Sequence, residues 1–184
     1  MGFCGLFDKV FKKLCSCYRV SVFRSVTKQK AKKISIKGKI HLFNKNIKVG
    51  ENVTLYPGVS FQGEGEIVIG NNTYIGNNTI IYSEKGYKVF IGNDVMIAGL
   101  CYIINANHNH YLSNVPMNKL GVNAQDIKIE DNVWIAANCV VAVGSKLNNG
   151  CVIGANSFVN RVIPENAIAV GSPAVVRKYR GDKQ

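Results

Sequence analysis

The chain has 184 residues, 47% of them hydrophobic, which suits one domain with a continuous core and excludes an intrinsically disordered protein. Its 23 Lys and Arg residues against 11 Asp and Glu residues give a net charge of +12. That excess lies entirely in residues 1–48, which carry 13 basic residues and one acidic residue. Nucleic acid is therefore not the expected partner, because a nucleic-acid-binding domain carries its basic residues on the folded surface.

Residues 1–33 are predicted to form a basic amphipathic segment ahead of the main domain, residues 34–180. Hydrophobic residues recur there at helical spacing, with lysines on the other faces: Phe3, Leu6, Phe7, Val10, Phe11, Leu14 and Tyr18. Charged residues interrupt this run too often for a signal peptide or a transmembrane span. Residues 1–24 either contact an anionic membrane or pack on the end of the main domain or between subunits. We expect a cytoplasmic protein. If residues 1–24 contact a membrane, it would lie peripherally at the inner face of a bacterial inner membrane.

From residue 129 onward an aliphatic residue recurs every six positions, and a small or β-branched residue follows each one four positions later. The aliphatic set is Ile129, Ile135, Val141, Leu147, Ile153 and Val159, and the second set is Val133, Cys139, Ser145, Cys151, Ser157 and Ile163. A period of six fits neither an α-helix nor a hairpin sheet, but it fits short strands that end in tight corners and stack as a solenoid. Cys101, Cys139 and Cys151 share the second position and are predicted to be buried packing residues.

The six-residue repeat is interrupted between Ile103 and Ile129. Residues 104–126 are polar and rich in turn formers, and long excursions of this kind are commonly functional. They contain two of the three histidines, His108 and His110. Because neutral imidazole accepts and returns a proton near neutral pH, a histidine in this loop is a candidate general base.

Three segments resemble motifs of the hexapeptide-repeat acyltransferase superfamily: Ile129–Asn138 (IEDNVWIAAN), Ile153–Pro164 (IGANSFVNRVIP) and Val170–Ala174 (VGSPA). The similarity covers residues 49–180 and is greatest to the maltose, galactoside and nodulation acetyltransferases and to polysaccharide O-acetyltransferases. It implies an all-β fold, a left-handed parallel β-helix with three hexads per coil, carrying the N-terminal helical segment and a protruding loop at 104–126. It also implies a homotrimer with active sites between subunits.

The resemblance further implies acetyl-CoA as co-substrate and no metal requirement. His108, 17 positions after Ile91, matches the catalytic base. Zinc-binding members carry a histidine pair five residues apart, which this sequence lacks. Trp134 matches a tryptophan at the active-site end of the cofactor groove, and Ala137 and Ala155 match small residues beside the pantetheine arm.

At the nucleotide end of the cofactor, Asn160 and Arg161 stand where the family has a Thr-Lys pair. Arg161 keeps the charge and adds a forked donor suited to phosphate. Lys178 matches a basic residue near the 3′-phosphate. Glu84 and His110 are assigned to acceptor binding, although Gly76 stands where galactoside-type members have an acceptor-contacting Asn.

The leading hypothesis is an O-acetyltransferase that acts by direct transfer on a sugar hydroxyl of a bacterial surface polysaccharide or its precursor. The alternative is an N-acetyltransferase for a nucleotide-linked amino sugar. A third possibility is a non-catalytic β-helix scaffold in which His108 and His110 are solvated loop residues.

Overall fold

The structure is a computed structural model that describes residues 3–28, 33–112 and 114–182. These residues form one helix followed by a left-handed parallel β-helix of about seven turns. The helix α1 spans Phe3–Thr27 and a 3-10 turn spans Met117–Lys119. The strands are β1 Ile34–Ile36, β2 His41–Leu42, β3 Ile47–Val49, β4 Val53–Leu55, β5 Ser60–Gly63, β6 Glu66–Ile69, β7 Tyr74–Ile75, β8 Ile80–Ser83, β9 Lys88–Ile91, β10 Met96–Ile97, β11 Tyr102–Ile104, β12 Ala106–His108, β13 Val122–Ala124, β14 Ile127–Ile129, β15 Trp134–Ile135, β16 Val140–Val141, β17 Lys146–Leu147, β18 Val152–Ile153, β19 Phe158–Val159, β20 Val162–Ile163, β21 Ala167–Val170 and β22 Val175–Tyr179.

The strands stack into three faces of a triangular prism. Face A has the order β1-β4-β7-β10-β15-β18-β21-β22, face B the order β2-β5-β8-β11-β16-β19, and face C the order β3-β6-β9-β14-β17-β20. All neighbours within these faces are parallel except the last pair of face A, in which β22 runs antiparallel to β21. One face follows the next along the chain, as the six-residue period predicts.

The predicted inward positions form the core. Every member of the two residue sets beginning at Ile129 and Val133 is buried, and the aliphatic members have no exposed surface. Cys101, Cys139 and Cys151 are buried too, which confirms their packing role. Burial raises the pKa of the Cys151 thiol to about 12. The Cys101 thiol donates a hydrogen bond to the Ala136 carbonyl at 3.3 Å.

Asparagines at the corners provide the left-handed backbone that each tight turn requires. At the corner between faces C and A the positive-φ residues include Asn52, Asn72, Asp94 and Asn132, and at the corner between faces A and B they include Asn78, Leu100, Asn138 and Asn156. Asn and Asp adopt this conformation more readily than other non-glycine residues because their short polar side chains hydrogen-bond locally. Asn138 Nδ2, for example, donates to Asn156 Oδ1 on the next coil at 2.7 Å.

The helix packs on the N-terminal end of the prism. Phe23 has no exposed surface and shares the core with Ile36, and half-buried Val20 packs against the same cluster. The helix ends at Thr27, and Lys28 follows with a φ of 55°, a left-handed residue of the kind that terminates many helices. Of the alternatives considered for the N-terminal segment, packing on the end of the main domain is therefore the arrangement seen for the C-terminal half of α1.

The sequence also placed Phe3, Leu6, Phe7 and Val10 on the apolar face of this segment. The side chains of residues 3–10 and 12 lie outside the described part of the structure. Among the described residues, no helix is both long enough and apolar enough to cross a bilayer.

Candidate active site

The outer surfaces of the three faces differ in character. A column of hydrophobic side chains runs across the coils of face A: Tyr74, Met96, Trp134, Val152 and Ile168. A second column on face B consists of Ile80, Tyr102, Val140 and Phe158. Face C carries ion pairs between coils, such as Lys48–Glu66 and Lys146–Glu130, beside outward-facing Val68 and Phe90.

The corner between faces A and B, the A–B corner, contains a cleft of about 490 Å³. Its lining consists mainly of small and aromatic residues: Tyr56, Tyr74, Gly76, Asn77, Asn78, Ala98, Gly99, Leu100 and Ala137. A Cβ atom on Gly76 would lie 2.5 Å from the Ala98 carbonyl carbon and from the Gly99 nitrogen. Glycine is thus required there by the close approach of the next coil.

Leu100 is an unusual residue within this cleft. Its φ is 63° although it is neither glycine nor asparagine, and 60% of its surface is exposed. Asn78 and Asn138 occupy the equivalent position on the coils before and after it, as shown by the matching backbone hydrogen bonds from each of the three residues to the preceding coil. Backbone strain of this kind is concentrated at functional sites in proteins.

His108 lies in a hairpin that projects from the corner between faces B and C, the B–C corner. Strand β12 pairs antiparallel with β13, so that His108 is opposite Val122. Beyond the strands, Asn109 N–H donates to the Gly121 carbonyl at 3.1 Å and Asn109 Nδ2 donates to the Leu120 carbonyl at 2.9 Å. The hairpin holds His108 with its side chain exposed, and His110 is exposed two residues further along the loop.

Asn105 joins the base of this loop to the preceding coil. Its side chain is fully buried, and its Oδ1 accepts a hydrogen bond from the Glu84 N–H at 2.8 Å. Its backbone carbonyl accepts from the Gln125 N–H at 3.1 Å, at the point where the chain returns to the prism. Asn105, at one end of the excursion, therefore contacts both the coil below and the other end of the excursion.

Glu84 lies beside this junction. The Tyr82 hydroxyl donates a hydrogen bond to Glu84 Oε2 at 2.6 Å. Because the phenol donates to a carboxylate, and is partly buried, the pKa of Tyr82 is raised to about 12. Glu84 Oε1 also accepts from the Lys85 N–H at 3.1 Å. The structure thus brings Glu84, an expected acceptor contact, to the base of the loop that carries His108.

The expected cofactor contacts are distributed over face A, the A–B corner and the B–C corner. Trp134 is 45% exposed on face A, and Ala137 and Ala155 are exposed at the A–B corner. Asn160 and Arg161 are exposed beyond β19, at the B–C corner. Lys178 is exposed on β22, opposite Ile168. The six residues therefore do not form a single pocket within one chain.

Sequence reasoning missed Asn105, Leu100 and Tyr82. Asn105 could have been identified from the repeat, because alignment of the hexads of face B places it directly above Ser83. In the structure, Asn105 Nδ2 lies 3.4 Å from Ser83 Oγ. A signal for Leu100 also existed, because it replaces the corner asparagine of the neighbouring coils.

Comparisons with known proteins agree with this geometry. The family "Bacterial transferase hexapeptide (six repeats)" matches residues 126–161. WbbJ of Escherichia coli K12, described as an O-acetyl transferase of lipopolysaccharide biosynthesis, is 31% identical over 144 residues, which are 73% of this chain and 72% of that protein. Galactoside O-acetyltransferase of the same organism is 34% identical, covering 73% of this chain and 64% of the enzyme. The structure of AntD, an N-acyltransferase from Bacillus cereus in complex with dTDP and 3-hydroxybutyryl-CoA, superposes with a TM-score of 0.73 at 19% identity, covering 88% of each chain.

Proposed function

This chain belongs to the hexapeptide-repeat acetyltransferases, and we propose that it transfers the acetyl group of acetyl-CoA to a sugar hydroxyl of a bacterial surface polysaccharide or its precursor. The observation that carries the proposal is an exposed histidine, His108, on a hairpin that leaves an otherwise regular β-helix. Support for a sugar acceptor comes from the relatives, which are described as O-acetyltransferases of lipopolysaccharide biosynthesis and of galactosides.

In this proposal His108 is the general base. Its imidazole removes the hydroxyl proton as the oxygen attacks the thioester carbonyl, and the resulting tetrahedral intermediate then breaks its bond to sulfur. The imidazolium returns the proton to the departing thiolate, so the products are an acetyl ester and free CoA. General-base assistance of this kind contributes about 10²–10⁴ in rate. The acetyl group passes directly in this proposal, and the cysteines of the β-helix, Cys101, Cys139 and Cys151, are buried rather than exposed as nucleophiles.

The A–B corner suits the pantetheine arm of the cofactor. Small residues leave room beside the backbone there, and we assign Ala137 and Ala155 to the arm and Trp134 to its thioester end. Asn160 and Arg161 are assigned to the phosphates, where the guanidinium offers paired donors. Lys178 is assigned to the 3′-phosphate.

A second protomer would complete the site. Within one chain, residues 101–105 cross face B from the A–B corner to the base of the excursion, a path of about 13 Å in extended backbone. His108 lies on the hairpin that leaves the opposite edge of face B from the corner cleft of its own chain. We therefore assign the base to one protomer and the cleft to its neighbour in a homotrimer. The hydrophobic columns on faces A and B supply apolar surface for such an interface.

Glu84 and His110 are assigned to the acceptor. Glu84 Oε2 accepts one hydrogen bond from the Tyr82 hydroxyl, and Glu84 Oε1 accepts one from the Lys85 N–H. Each carboxylate oxygen can accept a further hydrogen bond from a sugar hydroxyl. His110 is two residues from His108 and equally exposed, so it can contact the acceptor outside the reacting atoms.

The test is release of free CoA thiol from acetyl-CoA across a panel of oligosaccharide acceptors. We expect His108→Ala to lower kcat by about 10²–10⁴ and His110→Ala, a matched histidine in the same loop, to change mainly KM for the acceptor. Equal activity of His108→Ala and the unaltered protein would exclude the assigned base. No turnover of any acceptor by the unaltered protein would favour the scaffold hypothesis.

An amine acceptor is the second candidate, because the fold superposes on AntD, an N-acyltransferase crystallised with dTDP. Paired substrates separate the two reactions: an amino sugar nucleotide and the corresponding hydroxyl sugar. Faster acetylation of the amine, identified by an alkali-stable amide product, would replace O-transfer with N-transfer. An alkali-labile ester supports the proposal.

A further inference from the structure

The helix α1 carries a second apolar face that the prism does not cover. Its packed face contains Val20 and Phe23. On the other side, Phe11, Leu14, Tyr18 and Val22 follow one another at intervals of three or four residues, which places them in one stripe. They are 57%, 64%, 71% and 39% exposed, respectively. We call these four residues the outer stripe.

The apolar surface continues from the helix onto the first coil. A cleft of about 600 Å³ lies beside the contact between α1 and the end of the prism, and Leu14, Tyr18 and Val22 line it together with Ile40 and Leu42. Phe43, the next residue along the chain, is 71% exposed. A continuous exposed hydrophobic surface of this kind marks an interaction site more often than scattered single residues do.

Basic side chains surround this surface. Arg19 and Lys39 line the same cleft, and Lys13 and Lys37 line a neighbouring cleft that also includes Phe11. None of the described side chains that line these two clefts is acidic. After Asp8, the next acidic residue in the sequence is Glu51, so the charge of this end is positive throughout.

We infer that the outer stripe and its surrounding cations form a docking surface for an anionic phospholipid bilayer. Apolar side chains on one side of a helix enter the boundary between headgroups and acyl chains, while flanking Lys and Arg side chains bind anionic headgroups. A second copy of the chain fits less well, because joining two such ends would bring like charges together. The inference concerns where the enzyme works and does not depend on which acceptor it uses.

The experiment is flotation of the full-length protein with vesicles, without acyl donor or acceptor. We expect binding to phosphatidylcholine vesicles that contain phosphatidylglycerol and little binding to phosphatidylcholine alone. Binding should weaken when salt rises from about 0.1 M to about 1 M, which shortens the Debye length from roughly 10 to 3 Å. Leu14→Ser combined with Tyr18→Ser should lower vesicle affinity about tenfold or more, through the lost apolar area. Lys13→Ala combined with Lys39→Ala should lower it roughly 30-fold, close to fivefold for each charge.

Matched controls come from the excursion loop and the last strand. Tyr111→Ser with Leu112→Ser removes an exposed tyrosine and leucine far along the chain, and Lys119→Ala with Arg177→Ala removes two exposed charges. Both control pairs should bind vesicles like the unaltered protein, and thermal unfolding of every variant checks that it folds.

Unchanged vesicle binding by the stripe variants, or no binding by the unaltered protein, would refute the inference. A fall in molar mass of the stripe variants without vesicles, measured by light scattering, would show that a second copy covers the stripe and would refute it too.

Discussion

The Glu84 N–H donates a hydrogen bond to the side-chain oxygen of Asn105 at 2.8 Å, which ties the loop carrying His108 to the coil beneath it. The Asn105 side chain has no exposed surface, and its Nδ2 lies 3.4 Å from Ser83 Oγ on the same coil as Glu84. This contact relates the position of the proposed base to that of Glu84, the proposed acceptor contact. Asn105 is therefore a positioning residue for the loop.

Replacement of Asn105 by Ala should separate catalysis from cofactor binding. Loss of the acceptor atom leaves the Glu84 N–H without its partner, which costs about 1–3 kcal/mol of unfolding free energy. A loop displaced by about 1 Å would lower kcat by up to roughly 10²-fold. KM for acetyl-CoA should change little, because Ala137 and Ala155 lie at the A–B corner. Steady-state kinetics and chemical denaturation measure both effects.

Asn123→Ala is the control for this change. Asn123 is an exposed asparagine on β13 of the same hairpin, opposite Asn107. Its replacement should leave both kcat and stability near those of the unaltered protein. Equal kcat values for the Asn105 and Asn123 variants would show that the buried hydrogen bond does not position the loop.

Leu100→Asn should stabilise the protein while impairing the cleft. The left-handed backbone costs an ordinary residue about 1–2 kcal/mol, and Asn avoids much of that cost. We expect the free energy of unfolding to rise by about 1 kcal/mol. The change also removes an exposed apolar side chain from the corner cleft, so KM should rise for the substrate that contacts it. Denaturant melts and initial rates measure the two outcomes.

Asn138→Leu makes the reverse change at the equivalent corner one coil later. It introduces the left-handed penalty and removes the hydrogen bond from Asn138 to Asn156. It should therefore lower the free energy of unfolding, by about 1–2 kcal/mol from backbone strain alone. If both variants were destabilised to the same extent, the strain assigned to Leu100 would be wrong.

The ion pairs on face C predict a dependence of stability on acid pH. Glu66 contacts Lys48 at 2.6 Å and Lys88 at 2.7 Å, and these hydrogen bonds hold its pKa below the usual 4.5. Because the folded-state pKa is the lower one, the charged carboxylate stabilises the fold above pH 4.5, and this stabilisation is lost as the pH falls through the lowered value. The Tm of Glu66→Gln should therefore be lower than that of the unaltered protein at neutral pH, and the two should converge in acid.

Glu64→Gln provides the comparison for this pH series. The Glu64–Lys85 pair is 3.6 Å long, and both side chains are largely exposed. Exposed pairs contribute little, so this variant should show almost no difference in Tm at any pH. A Tm difference for Glu66→Gln that stayed constant from neutral to acid pH would contradict the proposed linkage.

Lys178 should recognise one particular phosphate of the cofactor. Loss of a charge-assisted hydrogen bond in Lys178→Ala should raise KM for acetyl-CoA by roughly tenfold. With acetyl-dephospho-CoA, which lacks the 3′-phosphate, the unaltered protein and the variant should have equal KM values. Arg177→Ala, a change to the preceding residue on β22, is the control and should leave both KM values unchanged. If Lys178→Ala also raised KM for acetyl-dephospho-CoA, the assignment of Lys178 to the 3′-phosphate would be wrong.

The β-helix could be predicted from the sequence because its pattern is local and repeated. Each hexad specifies its own inward aliphatic residue and its own corner, so Ile129, Ile135 and their successors needed no tertiary information to be placed in the core. The buried cysteines follow from the same repeat. The position of the helix could not be predicted, since Phe23 joins the core cluster that contains Ile36, and helical spacing does not distinguish packing on the core from contact with lipid.

The site was less predictable for a physical reason. The excursion loop has no period, so the antiparallel pairing of β12 with β13 and the contacts of Asn105 arise from single side chains. Resemblance to a family supplied residue roles for His108, Trp134 and Arg161, and these assignments stay predictions. The spacing of residues within one chain carries no information about which corner of a neighbouring protomer His108 would reach.

The regular stacking of coils also fixes the distance between the N-terminal helix and the excursion loop. Adjacent parallel strands are about 4.8 Å apart, and β11, from which the excursion loop departs, is three strands above β2 on face B. The loop therefore leaves the prism about 14 Å above the coil on which α1 rests. Because whole coils are the unit of length, adding or deleting one between α1 and the loop would raise or lower the proposed reaction centre by a fixed step while leaving its local geometry intact. Relatives with different coil numbers could in this way serve acceptors held at different heights.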